Sequence, residues 1–361
     1  MVKIVQENPT WKVALFTHNF LEPTHHSIVQ VLENLKGYSL HVFAKRFMDE
    51  KYFNIPNIES RTFYTKGKLT NLYDSMLVHA IYDGKTAIRA GQIAKEAGLP
   101  FLISFHGGFD TNAKIFDNRY TERTVKTVQQ ADKVTVTNHL DVVRLRKIGI
   151  RREINIIPVP IDFKILPKIN HNRKNHELII IGRLIPKKGF DIALKVLAEL
   201  PKSYKLKIIG KGELENELLD LASIFKIQDR IEWLGELSLS ETLNQLNVSG
   251  ILLHPARVAN DGNAEGTPQI ILWAQALRIP VITTSTGSIS EIVKHETTGL
   301  IVESENIQQI IDAILKLDDE QIKKTITQNG FEQVSKNHSL DFVINQWLRL
   351  YENLIAINEC R

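Results

Sequence analysis

Short β-rich runs alternate with helical stretches along this chain, stop, and then start again. In the first half the strand candidates are Lys12–Thr17, Ser39–Phe43, Met76–His79, Phe101–Phe105, Lys133–Thr137 and Ile154–Pro158. Helical patterns at Ser27–Leu35, Thr86–Ala97 and Thr121–Gln130 separate them. In the second half the strand candidates are Leu178–Ile181, Lys205–Ile209, Ile231–Leu234, Gly250–Leu253 and Val281–Thr284, with helices at Phe190–Leu200, Glu213–Phe225, Pro268–Leu277 and Ile307–Leu317. Most of the runs are apolar at successive positions, as strands buried on both faces should be. A strand–helix pattern that ends and restarts predicts two doubly wound α/β domains. The break lies between Pro158 and Asn175, where three prolines and a polar run read as a linker. This places the domains at residues 1–165 and 166–339. A last segment, Leu340–Ile357, has Phe342, Val343, Trp347, Leu350 and Tyr351 at the spacing of an amphipathic helix.

The length of 361 residues suits two domains, and 43% hydrophobic residues suffice for two cores. Apolar runs are strand length, far short of the roughly 20 residues that span a bilayer. The first twelve residues are mixed and polar, without the apolar run of a signal peptide. The single cysteine, Cys360, cannot form an intramolecular disulfide, so a cytoplasmic, reducing location is expected. The net charge of +4 is uneven: residues 1–165 hold 23 Lys and Arg against 16 Asp and Glu, and the remainder hold 22 against 25. The basic half suits an anionic partner, such as the inner membrane surface or a phosphorylated acceptor. Dense basic tracts with interleaved aromatics are absent, which argues against nucleic acid.

If the sheets are doubly wound, ligands bind at the carboxyl ends of the strands, so the loops there are the places to look. Ile181-Gly182-Arg183-Leu184-Ile185-Pro186-Lys187-Lys188-Gly189 follows one strand and precedes a helix. Gly182 allows a close backbone approach, and Arg183 and Lys188 near a helix N-terminus suit a diphosphate. Glu265-Gly266-Thr267-Pro268 opens another helix, with Thr267 as the expected N-cap and Pro268 as the first helical residue. Ser288 and Glu291 in Gly287–Glu291 fit a capping box. In the first half, His106 ends a strand and precedes Gly107 and Gly108. Gly210-Lys211-Gly212 is only a fragment of a dinucleotide fingerprint. His18, His25 and His26 make no metal-ligand set, and neither a nucleophile elbow nor a P-loop is present.

In this order the loops resemble the retaining glycosyltransferases of family 4, which have the GT-B fold of two facing Rossmann-like domains. The resemblance is carried by Leu178–Gly189, Asn260–Pro268, Gly287–Glu291, Leu77–Asp83 with Ile103–Asp110, and Ala131–Val134 with Ile157–Asp162. The acidic motif is similar to the version found in exopolysaccharide and colanic-acid-type enzymes. The resemblance implies that the terminal helix, 340–361, crosses back to complete the N-terminal, acceptor-side domain. The C-terminal domain would bind a nucleotide-sugar: a UDP-sugar first, with GDP-sugar or deoxynucleotide-sugar as alternatives. Arg183 and Lys188 would hold the diphosphate and Glu265 the sugar hydroxyls, while His106 would reach the sugar or reacting centre. Gly182, Trp233, Gly235, Gly266, Thr267, Pro268 and Trp273 complete the implied donor site. His18, Asn19, Glu22 and Asp110 fall on the acceptor side, with His18 and Asn19 in a loop after the first strand. The implied acceptor is a saccharide, glycolipid or small molecule. No metal or other cofactor is implied.

One position departs from the family pattern. Eight residues after Glu265 the family has a second glutamate that accepts hydrogen bonds from the ribose, and here it is Trp273, whose indole N–H only donates. Three readings follow: stacking on ribose or base with a changed nucleotide choice, weaker donor binding, or a non-catalytic nucleotide-sugar-binding homologue. A nucleotide-sugar epimerase on the same fold is a further alternative.

Overall fold

The computed structural model describes residues 11–20, 26–47, 55–63, 72, 74–81, 84–106 and 118–359. The chain divides into two compact units, Met1–Pro160 with Leu340–Arg361, and Ile161–Ser339. Residues 161–165, placed by the sequence with the first domain, lie in the second unit.

The first unit is built on a seven-stranded sheet in the order β3-β2-β1-β4-β5-β6-β7, and every pairing is parallel. Its strands are β1 Trp11–Phe20, β2 Tyr38–Phe47, β3 Ile58–Phe63, β4 Leu77–Ile81, β5 Phe101–Ser104, β6 Lys133–Val136 and β7 Asn155–Ile156. The helices are α1 His26–Glu33, α2 Lys85–Ala97, α3 Asn118–Gln130, α4 His139–Lys147 and, from the end of the chain, Leu340–Glu359. Alternate residues of one strand enter different cores, because successive side chains point to opposite faces. Val13 and Leu15 join Leu40, Val42 and Leu77 in one cluster. Ala14 and Phe16 join Phe43, Val78 and Ala80 in another, which also takes in α2 through Ala87, Ala90, Ile93 and Ala94. The terminal helix seals the first of these faces with Leu340, Val343, Ile344, Trp347, Leu350, Tyr351 and Leu354. That spacing of three and four is the apolar stripe of an amphipathic helix. Phe342, expected in the stripe, is instead 44% exposed. His18 and Asn19, expected in a loop, belong to β1, whose register with β2 runs on to Asn19–Arg46 and Phe20–Phe47. The strand is longer than its apolar run because β2 continues beside it. Glu22 and Asp110 lie outside the described residues.

The second unit holds a six-stranded parallel sheet in the order β10-β9-β8-β11-β12-β13. The strands are β8 Lys174–Ile181, β9 Lys205–Ile209, β10 Ile231–Gly235, β11 Ser249–His254, β12 Val281–Thr284 and β13 Leu300–Val302. Around it lie α5 Phe190–Glu199, α6 Glu215–Ile224, α7 Leu239–Val248, α8 Gln269–Ala276, α9 Ile289–Ile292, α10 Ile307–Lys316 and α11 Glu320–Asn337. In chain order the sheet grows one way from β8 to β9 and β10, then returns to the other side of β8 with β11. The strand order therefore reverses between β8 and β11. Loops after these two strands flank the crevice where open α/β sheets take their ligands.

Candidate functional site

The loops at the carboxyl ends of the second sheet are locked by backbone contacts that only glycine permits. Gly182 N–H donates to the Ile209 carbonyl at 3.0 Å, and Gly210 N–H to the Gly235 carbonyl at 2.7 Å. A Cβ on Gly210 would fall 1.8 Å from the Gly182 carbonyl oxygen. On the other side of the crevice a Cβ on Gly287 would fall 1.9 Å from the Glu265 carbonyl oxygen. Gly287 also has φ +66°, a region costly for residues with a Cβ. Ser288 Oγ donates to the Gly266 carbonyl at 2.6 Å. The expected capping box is therefore not made: the Ser288 hydroxyl is spent on the neighbouring loop and caps no helix N–H. Likewise the residue that caps α8 is Pro268, without a side-chain cap, and Thr267 lies one position before it.

These loops bring together Lys188 and Glu265. Lys188 Nζ lies 3.0 Å from Glu265 Oε1 and 3.1 Å from Oε2. Lys187 Nζ is 3.9 Å from Glu265 Oε1 and donates to Asn263 Oδ1 and the Ala264 carbonyl at 3.3 Å. Glu265 is almost wholly buried. Burial alone would raise its carboxyl, but Lys188, His254 and Lys187 outweigh this and hold it at about 2. It is therefore a carboxylate at neutral pH, able to accept hydrogen bonds and unable to act as a general acid. Burial pulls Lys187 below the usual ammonium range. Arg183 adds a third cation, exposed at the rim and close enough to act on Lys187. Arg257 fixes the lysine loop from behind: it forks onto Asp191 at 2.7 and 3.0 Å and donates to the Pro186 carbonyl at 2.9 Å. Three cations against Glu265 and the more distant Asp261 leave a positive surplus suited to an anion.

Three further residues expected on the donor side lie in the strands and helices around these loops. Trp233 lies in β10 and packs on the apolar core of its unit. Gly235, at φ +64°, ends that strand beside Gly210. Trp273 is only 9% exposed, on a helix buried from Ile270 to Ala276. Sequence reasoning passed over Lys187, although it adjoins Lys188, and also His254. His254 ends β11 with its Nε2 buried and without a hydrogen-bond partner among the described residues. Burial first, then Lys188, holds its imidazole at about 4 despite Glu265.

In the first unit His106 follows β5 and stacks on Trp347 of the terminal helix, with ring centroids 6.1 Å apart and 15° between planes. His106 Nε2 is 2.9 Å from Ser104 Oγ. Ser104 Oγ is 2.7 Å from His79 Nε2, and His79 Nδ1 is 2.7 Å from the Tyr351 hydroxyl. Nothing local links His79 to Tyr351, 272 residues away in sequence. His106 and Trp347 line a small recess with Ser27, Thr137, Pro158 and Pro160.

Two parallel α/β units of this kind define the GT-B class of glycosyltransferase folds. The Anabaena protein Alr3699/HepE, solved in complex with UDP and glucose, superposes with a TM-score of 0.80 at 16% identity, covering 95% of this chain and 100% of that one. Residues 162–333 match the family model for glycosyl transferases group 1. The second unit is thus similar to the group 1 glycosyl transferases, over just under half of the chain. WcaL of Escherichia coli strain K12, a glycosyltransferase named for colanic acid biosynthesis, is 26% identical over 262 residues. That match takes in 70% of this chain but 64% of WcaL, less than two thirds of its length. A Corynebacterium glutamicum protein, named as a GDP-mannose-dependent monoacylated alpha-(1-6)-phosphatidylinositol monomannoside mannosyltransferase, is 33% identical over 148 residues, 40% of this chain and 38% of that protein.

Proposed function

We propose that this chain is a retaining glycosyltransferase that moves a hexose-type sugar from a nucleotide-sugar to a saccharide, lipid-linked or small-molecule acceptor. The observation that carries the reading is the Lys188–Glu265 pair at the strand-order reversal of the second sheet. Breaking a glycosidic bond to a diphosphate builds negative charge on the leaving group. Fixed cations at Lys188, Lys187 and Arg183 stabilise that charge more in the transition state than in the ground state. Glu265, held ionised, accepts hydrogen bonds from sugar hydroxyls. Gly182, Gly235, Gly266, Thr267 and Pro268 shape the loops of the donor side. His106, with His18, Asn19, Glu22 and Asp110, is assigned to the sugar and acceptor side on the family resemblance, which is also the basis for retention. A UDP-sugar is the first choice of donor, in line with the UDP and glucose bound to HepE. The Corynebacterium relative, named for GDP-mannose and a phosphatidylinositol glycolipid, makes a GDP-sugar and a membrane-borne acceptor the next choices. Such an acceptor would suit a cytoplasmic enzyme with a basic first unit touching the inner membrane surface. No helix among the described residues is long and apolar enough to cross a membrane.

The test is a panel of UDP-, GDP- and deoxynucleotide-sugars, each read by nucleotide release with and without an acceptor mixture. Release that needs acceptor supports transfer. Sugar interconversion without acceptor would replace the reading with an epimerase. Trp273, standing where the family has a second glutamate, is the ground for one second reading, a nucleotide-sugar-binding homologue. Donor binding without any turnover would establish it.

A further inference from the structure

We propose that Tyr351, His79 and Ser104 form a one-way hydrogen-bond relay that fixes His106 with its proton on Nδ1, so that His106 meets its ligand as a hydrogen-bond donor. Their role is positioning. The direction follows from counting hydrogens along four buried or half-buried groups. Tyr351 is fully buried, and burial raises its phenol well above the usual range, so it keeps its O–H. Among the described residues the one hydrogen-bond partner of that hydroxyl is His79 Nδ1, at 2.7 Å. A buried O–H left without an acceptor costs about 1–3 kcal/mol, so Tyr351 donates and His79 Nδ1 accepts.

His79 is fully buried and held at about 3, so its ring is neutral and carries one proton. With Nδ1 accepting, that proton is on Nε2, and Nε2–H donates to Ser104 Oγ at 2.7 Å. Ser104 is fully buried, and its hydroxyl oxygen has two partners among the described residues, His79 and His106. It receives from His79, so its own hydrogen goes to His106 Nε2 at 2.9 Å. Neutral His106 then has its proton on Nδ1. The reverse polarity would leave the Tyr351 hydrogen without an acceptor inside the core. Stacking on Trp347 sets the plane of the ring, so the relay and the indole together fix both its tilt and its proton.

The consequence for the ligand rests on the proposed function. A neutral His106 fixed this way offers N–H to an oxygen of the sugar or acceptor and does not take the acceptor's proton through Nδ1. The tautomer itself is independent of that reading and is testable without any substrate. Long-range proton–nitrogen NMR on the full chain with nitrogen-15 histidine gives the tautomer directly, with signals assigned by His106→Gln and His79→Gln. The expected result is Nδ1–H for neutral His106 and Nε2–H for His79. Tyr351→Phe, which removes one oxygen, should mix both tautomers of His79 and lower the Nδ1–H fraction of His106. Ser104→Ala should release His106 toward Nε2–H. Finding His106 as Nε2–H in the wild-type chain overturns the proposal, and so does a His106 tautomer that does not respond to Tyr351→Phe. If a variant fails to fold, the wild-type tautomer alone decides. Correct tautomers in a chain without transfer activity would keep the relay and remove the transferase reading.

Discussion

The two clusters hold their functional side chains by opposite means. In the second unit Lys187, Lys188 and Glu265 are close and mostly out of water, and the two lysines keep the buried Glu265 ionised. In the first unit His106, Ser104, His79 and Tyr351 are ordered by hydrogen bonds, with His79 kept neutral by burial. Charge gives strength without much direction. A relay of neutral donors and acceptors gives direction with little net energy. Under the proposed function, a leaving diphosphate would ask for the first and a sugar or acceptor hydroxyl for the second.

The comparison breaks most visibly when one member of each cluster is removed. Glu265→Ala strands Lys188 and Lys187, and losing one partner of a buried pair costs about 3–5 kcal/mol. Lys188→Ala should lower nucleotide release by about 100-fold or more, the scale of losing one group that stabilises transition-state charge. Tyr351→Phe in the first unit should cost only about 1–2 kcal/mol. Urea unfolding and donor turnover measure all three, and equal costs would erase the distinction between the clusters.

Glycine substitutions are the next sharpest probe. Gly287→Ala drives a Cβ into the Glu265 carbonyl and should cost more than about 3 kcal/mol. Gly98→Ala at the end of α2 meets nothing within 4 Å at φ +68°, so only the backbone term of about 1–2 kcal/mol remains. Similar unfolding midpoints for the two variants would show that the loop at Gly287 yields.

Acid should unsettle the charged cluster in two stages. His254 is held at about 4 against an ordinary 6.5. The unfolded chain thus takes that proton first, and stability falls as pH drops from 6.5 to 4, by on the order of 2–3 kcal/mol. Glu265, at about 2 against an ordinary 4.5, contributes stability above pH 4.5 that is lost as pH falls through 2. His254→Gln should reduce the first stage in urea titrations across pH, the remainder belonging to buried His79, and should move the second toward higher pH because His254 helps to hold Glu265 low; an unchanged slope would remove His254 from the account. The smallest effect lies outside both clusters: Ser238→Ala removes the capping box of α7 and should cost about 1 kcal/mol, with turnover unchanged.

What the sequence disclosed follows the same division. Strands buried on both faces are legible because their apolar runs are continuous, as at Ile179–Ile181 and Val13–Phe16. The edge strand β3 escaped because it alternates half-buried and exposed residues, with Glu59 and Arg61 pointing outward. Helix α7 carried a readable start in Ser238 and Glu241 that went unused. β8 begins at Lys174, inside the stretch read as linker, because polar residues there still pair with β9 and β11. At the charged site Gly182, Lys188, Glu265 and Gly287 stood in contiguous motifs. The relay had no such signature: His79, Ser104 and Tyr351 belong to separate elements, and only the fold of the chain makes them neighbours.

The return of the last helix to the first unit also sets a timetable for synthesis. Residues 161–339 leave the ribosome as one uninterrupted stretch and can close their own core. The first unit must wait for Leu340–Glu359 to cover Val13, Leu15, Leu40 and Val42. At about 5–20 residues per second, the delay between residue 160 and that helix is roughly 10–40 s. During that interval the first unit presents an open apolar face, a natural place for a chaperone to hold. His106 acquires its stacking partner and its proton order only once Leu340–Glu359 has been made and has docked.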